Sequence, residues 1–275
     1  MTFVDFDHIA ENVPNFKERW TAAARRGPAF IVIDDLLRPS RQREIFDSFP
    51  SPSWAEWQSI GNRLQAEKLS NERIERFPAS LATLVHELNS GPMVRLLEEF
   101  TGIAGLLPDP HLWGGGLHLT RPGGYLWPHT DFLQGQHPRL KRIINLILYA
   151  HERWEPGMGG DFQVWKGGAV AESISPTPGR CVILRTDPVS VHGVSQVRGR
   201  LDRKSVALFY YTITSLDGAL ADSTTGWQLR QTPAGAAVGP FRRRIAAALM
   251  WTAVGLRRAS IGVSRQAERV MTGRR

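Results

Sequence analysis

The chain has one cysteine among its 275 residues, Cys181, and it has no long apolar run. A single cysteine cannot form an internal disulfide, and its place in the apolar run Cys181–Leu184 predicts a buried strand residue in a protein of a reducing compartment. No stretch reaches the roughly 18 apolar residues that a membrane-spanning helix needs. The first residues are acidic rather than basic, so we expect no signal peptide and a cytoplasmic location.

Excess basic charge is also missing from most of the chain. Residues 241–275 contain nine arginines and one glutamate, and removing these from the 34 basic and 26 acidic residues leaves 25 of each sign in residues 1–240. A neutral body argues against a nucleic-acid-binding surface spread over the fold, so nucleic acid is not an expected partner.

The arginines of the C-terminal segment flank a mostly apolar stretch, Ile245–Leu256, to give a basic amphipathic segment over 241–258. The apolar stretch is too short to cross a bilayer, and two interpretations stay open. The segment either makes a peripheral contact with an anionic surface at the inner face of the membrane, or it forms a helix that packs on the fold or on the second subunit of a homodimer.

Helical patterns come first along the chain, and strand patterns follow. Proline, glycine or a capping serine marks four predicted helices, at 1–26, 40–49, 78–89 and 92–100. After Gly102 come eight short predicted strands, at 113–120, 125–132, 142–149, 161–165, 171–174, 181–186, 189–197 and 205–213. Helices followed by strands without alternation predict an α+β chain with an antiparallel sandwich or barrel. Residues 51–76 lack clean periodicity and are predicted to form a long mobile loop, a candidate lid.

The pattern most specific to a function is His129-Thr130-Asp131, followed 61 positions after the aspartate by His192. In an extended strand residues i and i+2 share a face, so His129 and Asp131 point the same way. Two imidazoles and one carboxylate form the facial triad whose usual metal is non-haem Fe(II), with coordination positions left open. An open half of the coordination sphere favours a catalytic metal over a structural one.

A strand that carries a cation begins about ten residues after His192. By strand alternation Arg203, Ser205 and Ala207 share a face. A guanidinium fork with a hydroxyl two residues on suits the binding of a carboxylate. The alternative is a surface cation at a strand start, and the nearby His192 favours the carboxylate anchor.

Together these motifs resemble the iron- and 2-oxoglutarate-dependent dioxygenases, in particular their prolyl-4-hydroxylase-like branch. The resemblance spans roughly residues 95–215 and rests on Leu126-x-x-His129-x-Asp131-Phe132, Arg142-x-x-Asn145-Leu146-Ile147-Leu148-Tyr149, Gly159-Gly160-Asp161-Phe162, Val191-His192-Gly193 and Arg203-x-Ser205-x-Ala207-x-x-Tyr210-Tyr211. It implies a double-stranded β-helix (jelly-roll) core with N-terminal supporting helices and a C-terminal helical tail. The expected domain covers 1–220, with helical support over 1–101, the β-helix core over 102–215 and a basic, helical extension over 221–275.

The resemblance also implies roles for individual residues. The expected Fe(II) ligands are His129, Asp131 and His192. The distal carboxylate of 2-oxoglutarate is expected to bind Arg203, helped by Ser205. Many relatives place a tyrosine before the first iron ligand to contact the cosubstrate, and Tyr125, Thr120 or Arg121 would replace it here; Asn145 is a further expected contact.

The implied reaction consumes O2 and 2-oxoglutarate, releases succinate and CO2, and hydroxylates an unactivated C–H bond; ascorbate would stimulate it. Related halogenases lack the carboxylate ligand, so Asp131 indicates hydroxylation, with desaturation or cyclisation as variants. Side chains near the barrel mouth are candidate substrate contacts, with simple packing in the β core as the alternative for each: His118, Trp113, Trp127 and Trp165.

Three functions from different classes are compatible with these motifs. The leading one is hydroxylation of a small molecule, of a specialised-metabolite or envelope-sugar type. The second is hydroxylation of prolyl residues in a protein or peptide, which needs an open groove. The third is a non-enzymatic cupin-like binding module, and the anchor formed by Arg203 and Ser205 argues against it.

Overall fold

The computed structural model describes residues 2–62, 64–133, 140–213 and 226–227, with residues 62, 226 and 227 described by their backbone only. Within these residues the helices are α1 Phe6–Arg26, α2 Pro39–Ser48, α3 Ala79–Leu88 and α4 Gly91–Thr101, with a short 3-10 helix at Ile74–Arg76. The strands are β1 Phe30–Ile33, β2 Gln58–Asn62, β3 Gln65–Asn71, β4 Leu107–Pro108, β5 Gly116–Thr130, β6 Leu140–Tyr149, β7 Phe162–Lys166, β8 Ala169–Ile174, β9 Cys181–Arg185, β10 His192–Val194, β11 Arg203–Ile213 and β12 Gly226–Trp227.

The strands form one strongly curled antiparallel sheet, in the order β1-β9-β6-β11-β5-β10-β7-β8. The long strand β5 pairs with different strands along its length. Its first part pairs with β11, from Arg203 opposite Thr120 to Ala207 opposite Gly116, and its last part pairs with β10, with His192 opposite His129. One strand therefore brings the metal motif and the cationic strand into the same jelly-roll interior.

Helices α1 and α4 pack against each other through apolar faces, as part of the hydrophobic core. The buried residues of α1 recur at helical spacing, as Ile9, Val13, Phe16, Trp20 and Ala23, so one face of the helix is apolar. Phe100 of α4 meets the rings of Phe16 and Trp20 edge to face, with centroids 5.9 and 6.4 Å apart. Burying each such ring stabilises the fold by about 1.5–3 kcal/mol. The expected α+β class with N-terminal supporting helices is confirmed.

The prediction of a mobile loop over residues 51–76 is wrong. The segment contains the β2–β3 hairpin and the 3-10 helix, and β3 pairs with β5 from Gln65 opposite Leu126 to Asn71 opposite Leu117. A polar strand gives no apolar alternation, and it is stable here because the ladder with β5 satisfies its backbone groups. The approach is so close at Gly116, where φ is +81°, that a β-carbon would lie 2.1 Å from the Asn71 carbonyl oxygen.

Two predicted strands, 113–120 and 125–132, are one strand in the structure. Pro122-Gly123-Gly124 has the composition of a turn, but Gly123 adopts a φ of +85° and the chain continues as β5. The glycine bends the strand without ending it, because only glycine takes this conformation at no steric cost. The predicted strand at 189–197 is also shorter, reduced to the three residues of β10.

Several predictions lie outside the described residues. These are the amphipathic segment 241–258 with its membrane contact, the C-terminal helix and a homodimer built on it. The domain limits at 220 and 221 stay predictions. Among the described residues, no helix combines the length and the apolar character needed to cross a membrane.

Candidate active site

The three predicted metal ligands meet in the interior of the curled sheet. His129 lies near the end of β5, Asp131 follows that strand, and His192 opens β10. The Nε2 atoms of His129 and His192 lie 3.7 Å from Oδ1 and Oδ2 of Asp131, respectively. One donor atom from each residue falls within 4.8 Å of the others. A single ion with bonds of about 2 Å can bridge donors at this spacing with small side-chain movements.

Backbone carbonyls fix the tautomer of both imidazoles. Nδ1 of His129 donates to the Trp127 carbonyl at 2.8 Å, and Nδ1 of His192 donates to the Ser190 carbonyl at 3.0 Å. Because a carbonyl only accepts, the proton lies on Nδ1 and Nε2 keeps its lone pair for a metal. Burial lowers the pKa of His192 to about 4, so this imidazole is neutral near pH 7, as a ligand must be.

Asn145 on β6 orients the carboxylate ligand. Its Nδ2 donates to Oδ2 of Asp131 at 3.0 Å. Burial raises the pKa of Asp131, but the adjacent imidazoles of His192 and His129 outweigh it and hold that pKa well below its usual range. The carboxylate is therefore ionised and held in place. The other amide atom, Oδ1, is buried and has no protein partner. Because Oδ1 only accepts and 2-oxoglutarate offers no donor, the expected cosubstrate contact would need the second Nδ2 hydrogen, and it stays a prediction.

The donor set fits an iron centre with an open side. Among the residues that the structure describes, no fourth His, Cys, Asp or Glu joins this group. Two neutral imidazoles and one carboxylate are the ligands of the non-haem Fe(II) facial triad, which leaves three positions for exogenous ligands. His129, Asp131 and His192 would hold the ion here.

The predicted carboxylate anchor lies in the same interior. Arg203, at the start of β11, is 4% exposed, and its Nε donates to the Gly160 carbonyl at 2.8 Å. Its Nη2 donates to the Tyr149 hydroxyl at 3.1 Å, and the guanidinium carbon lies 4.8 Å from the centre of that ring. Gly160 has a φ of +69°, and a β-carbon there would lie 3.2 Å from the Arg203 side chain. The guanidinium is thus fixed through neutral acceptors, and its charge remains available to a ligand.

A cavity of about 100 Å³ joins the triad to the anchor. Its lining includes His129, Asp131 and His192 on one side and Arg203 with Ser205 on another, and Ile147, Phe162 and Phe209 supply apolar walls. A larger groove of about 440 Å³ lies between α1 and strands β1, β7 and β8. The small cavity, not the larger groove, holds the groups that can do chemistry.

The other predicted site residues divide into two groups. Asn145, Tyr125 and His118 line the cavity. Burial, reinforced by the positive charges of Lys68 and Arg203, lowers the pKa of His118 well below its usual value. Three tryptophans do not line it, and each has a different neighbourhood: Trp113 packs on Phe132 with ring centres 4.7 Å apart, Trp127 stacks near Tyr125, and Trp165 lies on β7 with a buried Nε1 that has no partner.

Lys68 is the cavity residue that sequence reasoning missed. It lies on β3, in the segment that the sequence predicts to be a loop, and it lines the cavity beside His118. Gly61 and Asn62 end β2 immediately before the turn into β3, and this pair is a sequence signal for a nearby turn. His151, which lies outside the predicted motifs, is also buried, at 4% exposed.

A sequence model of the 2OG-Fe(II) oxygenase superfamily matches residues 115–211, which run from the start of β5 to the end of β11. The match contains the triad and the cationic strand. Over these residues the chain matches the 2OG-Fe(II) oxygenase superfamily, which indicates a 2-oxoglutarate-dependent dioxygenase that uses Fe(II), 2-oxoglutarate and O2. The match supports an enzyme rather than the alternative of a non-enzymatic binding module.

Solved structures share the fold at low sequence identity. A prolyl-4-hydroxylase from Pseudomonas putida is 14% identical, with a TM-score of 0.52, over 73% of this chain and 100% of its own. A Trichoplax adhaerens prolyl hydroxylase, in complex with a peptide fragment of hypoxia inducible factor, is 14% identical with a TM-score of 0.51, over 74% and 91%. SnoN, an α-ketoglutarate-dependent epimerase of nogalamycin biosynthesis, is 13% identical with a TM-score of 0.52, over 82% and 95%. No curated protein matches the chain.

These similarities extend to the fold alone. The jelly-roll core is the one that the prolyl-4-hydroxylase-like branch uses, as the sequence motifs predicted. Because proteins with a peptide substrate and with a biosynthetic role share it, the fold leaves the substrate open.

Proposed function

We propose that this enzyme hydroxylates an unactivated C–H bond of a small molecule, with release of succinate and CO2. The observation that carries the proposal is one cavity whose lining includes both the triad and Arg203. A site of this kind presents an open metal position and a carboxylate anchor to the same ligand. We keep the cytoplasm as the proposed location, since the single cysteine, Cys181, is buried and free.

Each proposed role follows from a position in the cavity. When bound, Fe(II) with 2-oxoglutarate and O2 would supply the oxidising power for C–H hydroxylation. His129 and His192 present Nε2 to the ion, and Asp131 adds a carboxylate oriented by Asn145. Arg203 and Ser205 hold the distal carboxylate of the cosubstrate. Ile147, Phe162 and Phe209 keep the cavity dry, which strengthens the electrostatic contacts inside it.

The β2–β3 hairpin supports a compact substrate. β3 pairs with β5 and contributes Lys68 to the cavity lining, so this strand forms part of the enclosure. Hydroxylation of prolyl peptides stays the second candidate, supported by the peptide bound to the Trichoplax adhaerens neighbour.

The metal role is tested by His129→Ala. We expect this variant to lose 2-oxoglutarate-dependent succinate release, since one of three ligands is removed, while circular dichroism and the melting temperature show an intact fold. His86→Ala, at an exposed position on α3, is the matched control and should retain full activity. A fully active His129→Ala variant would refute the ligand assignment.

The substrate class is tested by the stimulation of succinate release. We expect members of a panel of specialised metabolites and envelope sugars to raise the rate above the substrate-free background, with a mass gain of one oxygen in the product. Proline-rich peptides should leave the background unchanged. Stimulation by the peptides, with hydroxyproline formed, would replace the proposal by the second candidate.

A further inference from the structure

Two cationic residues lie at the same register position on β3 and β11, the two strands that pair with the first part of β5. Lys68 on β3 and Arg203 on β11 are both opposite Thr120 in the strand register. All three residues line the cavity. Neighbouring strands are about 4.8 Å apart, so the two α-carbons are separated by roughly 10 Å. Side chains of this length can both reach an anion held between them.

The ammonium group of Lys68 has no anionic partner in the described part of the chain. It makes no hydrogen bond and no ion pair there, although its side chain is half-buried at the wall of the cavity. Burial and the charge of Arg203 lower the pKa of Lys68 to about 8. A cation that is partly desolvated beside a second cation is unfavourable unless an anion joins them.

Nearby carboxylates are engaged elsewhere. Asp131 belongs to the triad and accepts from Asn145. Glu72 accepts the backbone N–H of Gly114 at 2.9 Å and forms no ion pair with Lys68. Neither carboxylate therefore explains why a lysine points into this cavity.

Arg203 has capacity left for the same anion. Its Nε and Nη2 bind a carbonyl and a hydroxyl, both neutral, and no partner among the described residues uses Nη1. Tyr149 and Gly160 thus fix the guanidinium without neutralising it. Arg203 and Lys68 both line the cavity, so an anion bound there can contact both cations.

We propose that Lys68 is a second cationic anchor for the distal carboxylate of 2-oxoglutarate, which it binds together with Arg203. The inference rests on the proposed role of Arg203 and deepens it. It also gives the β2–β3 hairpin a function, because binding of the cosubstrate would tie β3 to β11 across β5. A carboxylate shared by a guanidinium and an ammonium forms charge-assisted bonds to both.

The test is an anaerobic titration of the Fe(II)-loaded full chain with 2-oxoglutarate, followed by its weak visible charge-transfer band. We expect Lys68→Met to weaken binding about tenfold, and Lys68→Arg to restore most of the affinity. The second ligand is 2-oxopentanoate, which has the same keto acid and chain but no distal carboxylate. Its affinity should be the same in the wild type and in Lys68→Met, since the lost contact is absent from it.

Lys204→Met is the matched control. Lys204 follows Arg203 on β11 and points to the opposite face, where its ammonium lies 5.7 Å from the Phe49 ring centre. This variant should bind 2-oxoglutarate within twofold of the wild type. Equal losses in Lys68→Met and Lys204→Met would mean a general charge effect and would overturn the inference.

Two further outcomes separate the inference from the function on which it rests. Unchanged 2-oxoglutarate affinity in Lys68→Met, or an equal loss for 2-oxopentanoate, overturns the role of Lys68 while Arg203→Ala still weakens binding. If Arg203→Ala also leaves the affinity unchanged, the proposed cosubstrate site itself fails. The two failures are therefore distinguishable in one set of titrations.

Discussion

Two buried arginines lie in the same curled sheet and are held in similar ways. Arg142 on β6 is fully buried and Arg203 on β11 is 4% exposed. Each donates to one backbone carbonyl and to one tyrosine hydroxyl: Arg142 to Trp113 and Tyr211, at 2.6 and 2.9 Å, and Arg203 to Gly160 and Tyr149. Neither forms an ion pair with a carboxylate within 4.0 Å in the part of the chain that is described.

The difference is what lies on the remaining side of each guanidinium. The Arg142 group lies between the rings of Phe132 and Phe209, with its central carbon 3.8 and 3.5 Å from their centres. Its Nε and Nη1 are enclosed and have no partner. Arg203 has one ring against it and the cavity beside it. The same side chain, with the same kinds of acceptor, thus serves packing in one place and ligand binding in the other.

Tyr211 shows how the enclosed charge of Arg142 is tolerated. Its hydroxyl accepts from Arg142 and donates to Oδ2 of Asp109 at 3.2 Å. Burial raises the pKa of Tyr211 to about 12, so the hydroxyl keeps its proton and relays the negative charge of Asp109 to the arginine. The cation–π contacts with the two phenyl rings add to this stabilisation. Arg203 has no corresponding relay among the described contacts, which is consistent with a partner that arrives as a ligand.

The largest expected effect is the loss of stability in Arg142→Ala. Removing the guanidinium empties the space between Phe132 and Phe209 and leaves the Trp113 carbonyl without its donor. We expect the free energy of unfolding in urea to fall by about 4 kcal/mol, in the range of large-to-small core substitutions. Arg185→Ala, at a half-exposed ion pair, should cost less than about 1 kcal/mol. Unchanged stability in Arg142→Ala would mean that the enclosed arginine is not a packing element.

Arg203→Ala should have a smaller effect on stability than Arg142→Ala and a larger effect on 2-oxoglutarate binding. Water can enter the cavity and hydrate the Gly160 carbonyl and the Tyr149 hydroxyl, so the unfolding free energy should fall less than in Arg142→Ala. The affinity for 2-oxoglutarate should fall at least tenfold, because a lost charge-assisted contact costs about 1.5–3 kcal/mol. The anaerobic charge-transfer titration measures this change. If Arg203→Ala kept wild-type affinity and lost much of its stability, Arg203 would be a packing residue like Arg142, and its proposed role in ligand binding would be wrong.

The sequence predicts the convergence of His129, Asp131 and His192 because the key relation among them is local. His129 and Asp131 are two residues apart, and any strand places them on one face. His192 joins them if the strand that it opens pairs with the strand that carries His129, as β10 does with β5. The cationic strand is predictable for the same reason, since Arg203 and Ser205 are also two residues apart. Element boundaries followed from proline, glycine and alternation, and they fail at Pro122–Gly124, where the strand bends without stopping.

The roles of Lys68, Arg142 and Trp113 depend on long-range register and could not be derived in this way. Lys68 enters the cavity because a polar hairpin pairs with β5, a partner about 50 residues away. Trp113 is aromatic and close to the barrel in sequence, but its carbonyl and ring contact Arg142 and Phe132 instead of the cavity. Periodicity identifies the face of a strand, and it does not identify which strand covers that face.

The smallest expected effect is a pH dependence of the free energy of unfolding that comes from His151, a buried neighbour of Arg203. His151 is buried between the rings of Tyr149 and Trp154; one ring nitrogen donates to the Pro176 carbonyl, and the other accepts from the backbone of Lys204. Burial, aided by the charge of Arg203, lowers the pKa of His151 to about 4. The unfolded chain, with a pKa near 6.5, therefore binds more protons, and stability is lost as the pH falls from about 6.5 towards 4.

Between pH 7 and pH 5.5 this linkage amounts to roughly 1 kcal/mol. His151→Gln should be less stable at pH 7 but should lose about that much less than the wild type over this interval, measured by urea unfolding at each pH. The other buried histidines titrate in both proteins, so the difference between the two slopes isolates His151. Parallel pH profiles would mean that the pKa of His151 is the same in the folded and unfolded states, which its burial and the neighbouring charge of Arg203 oppose.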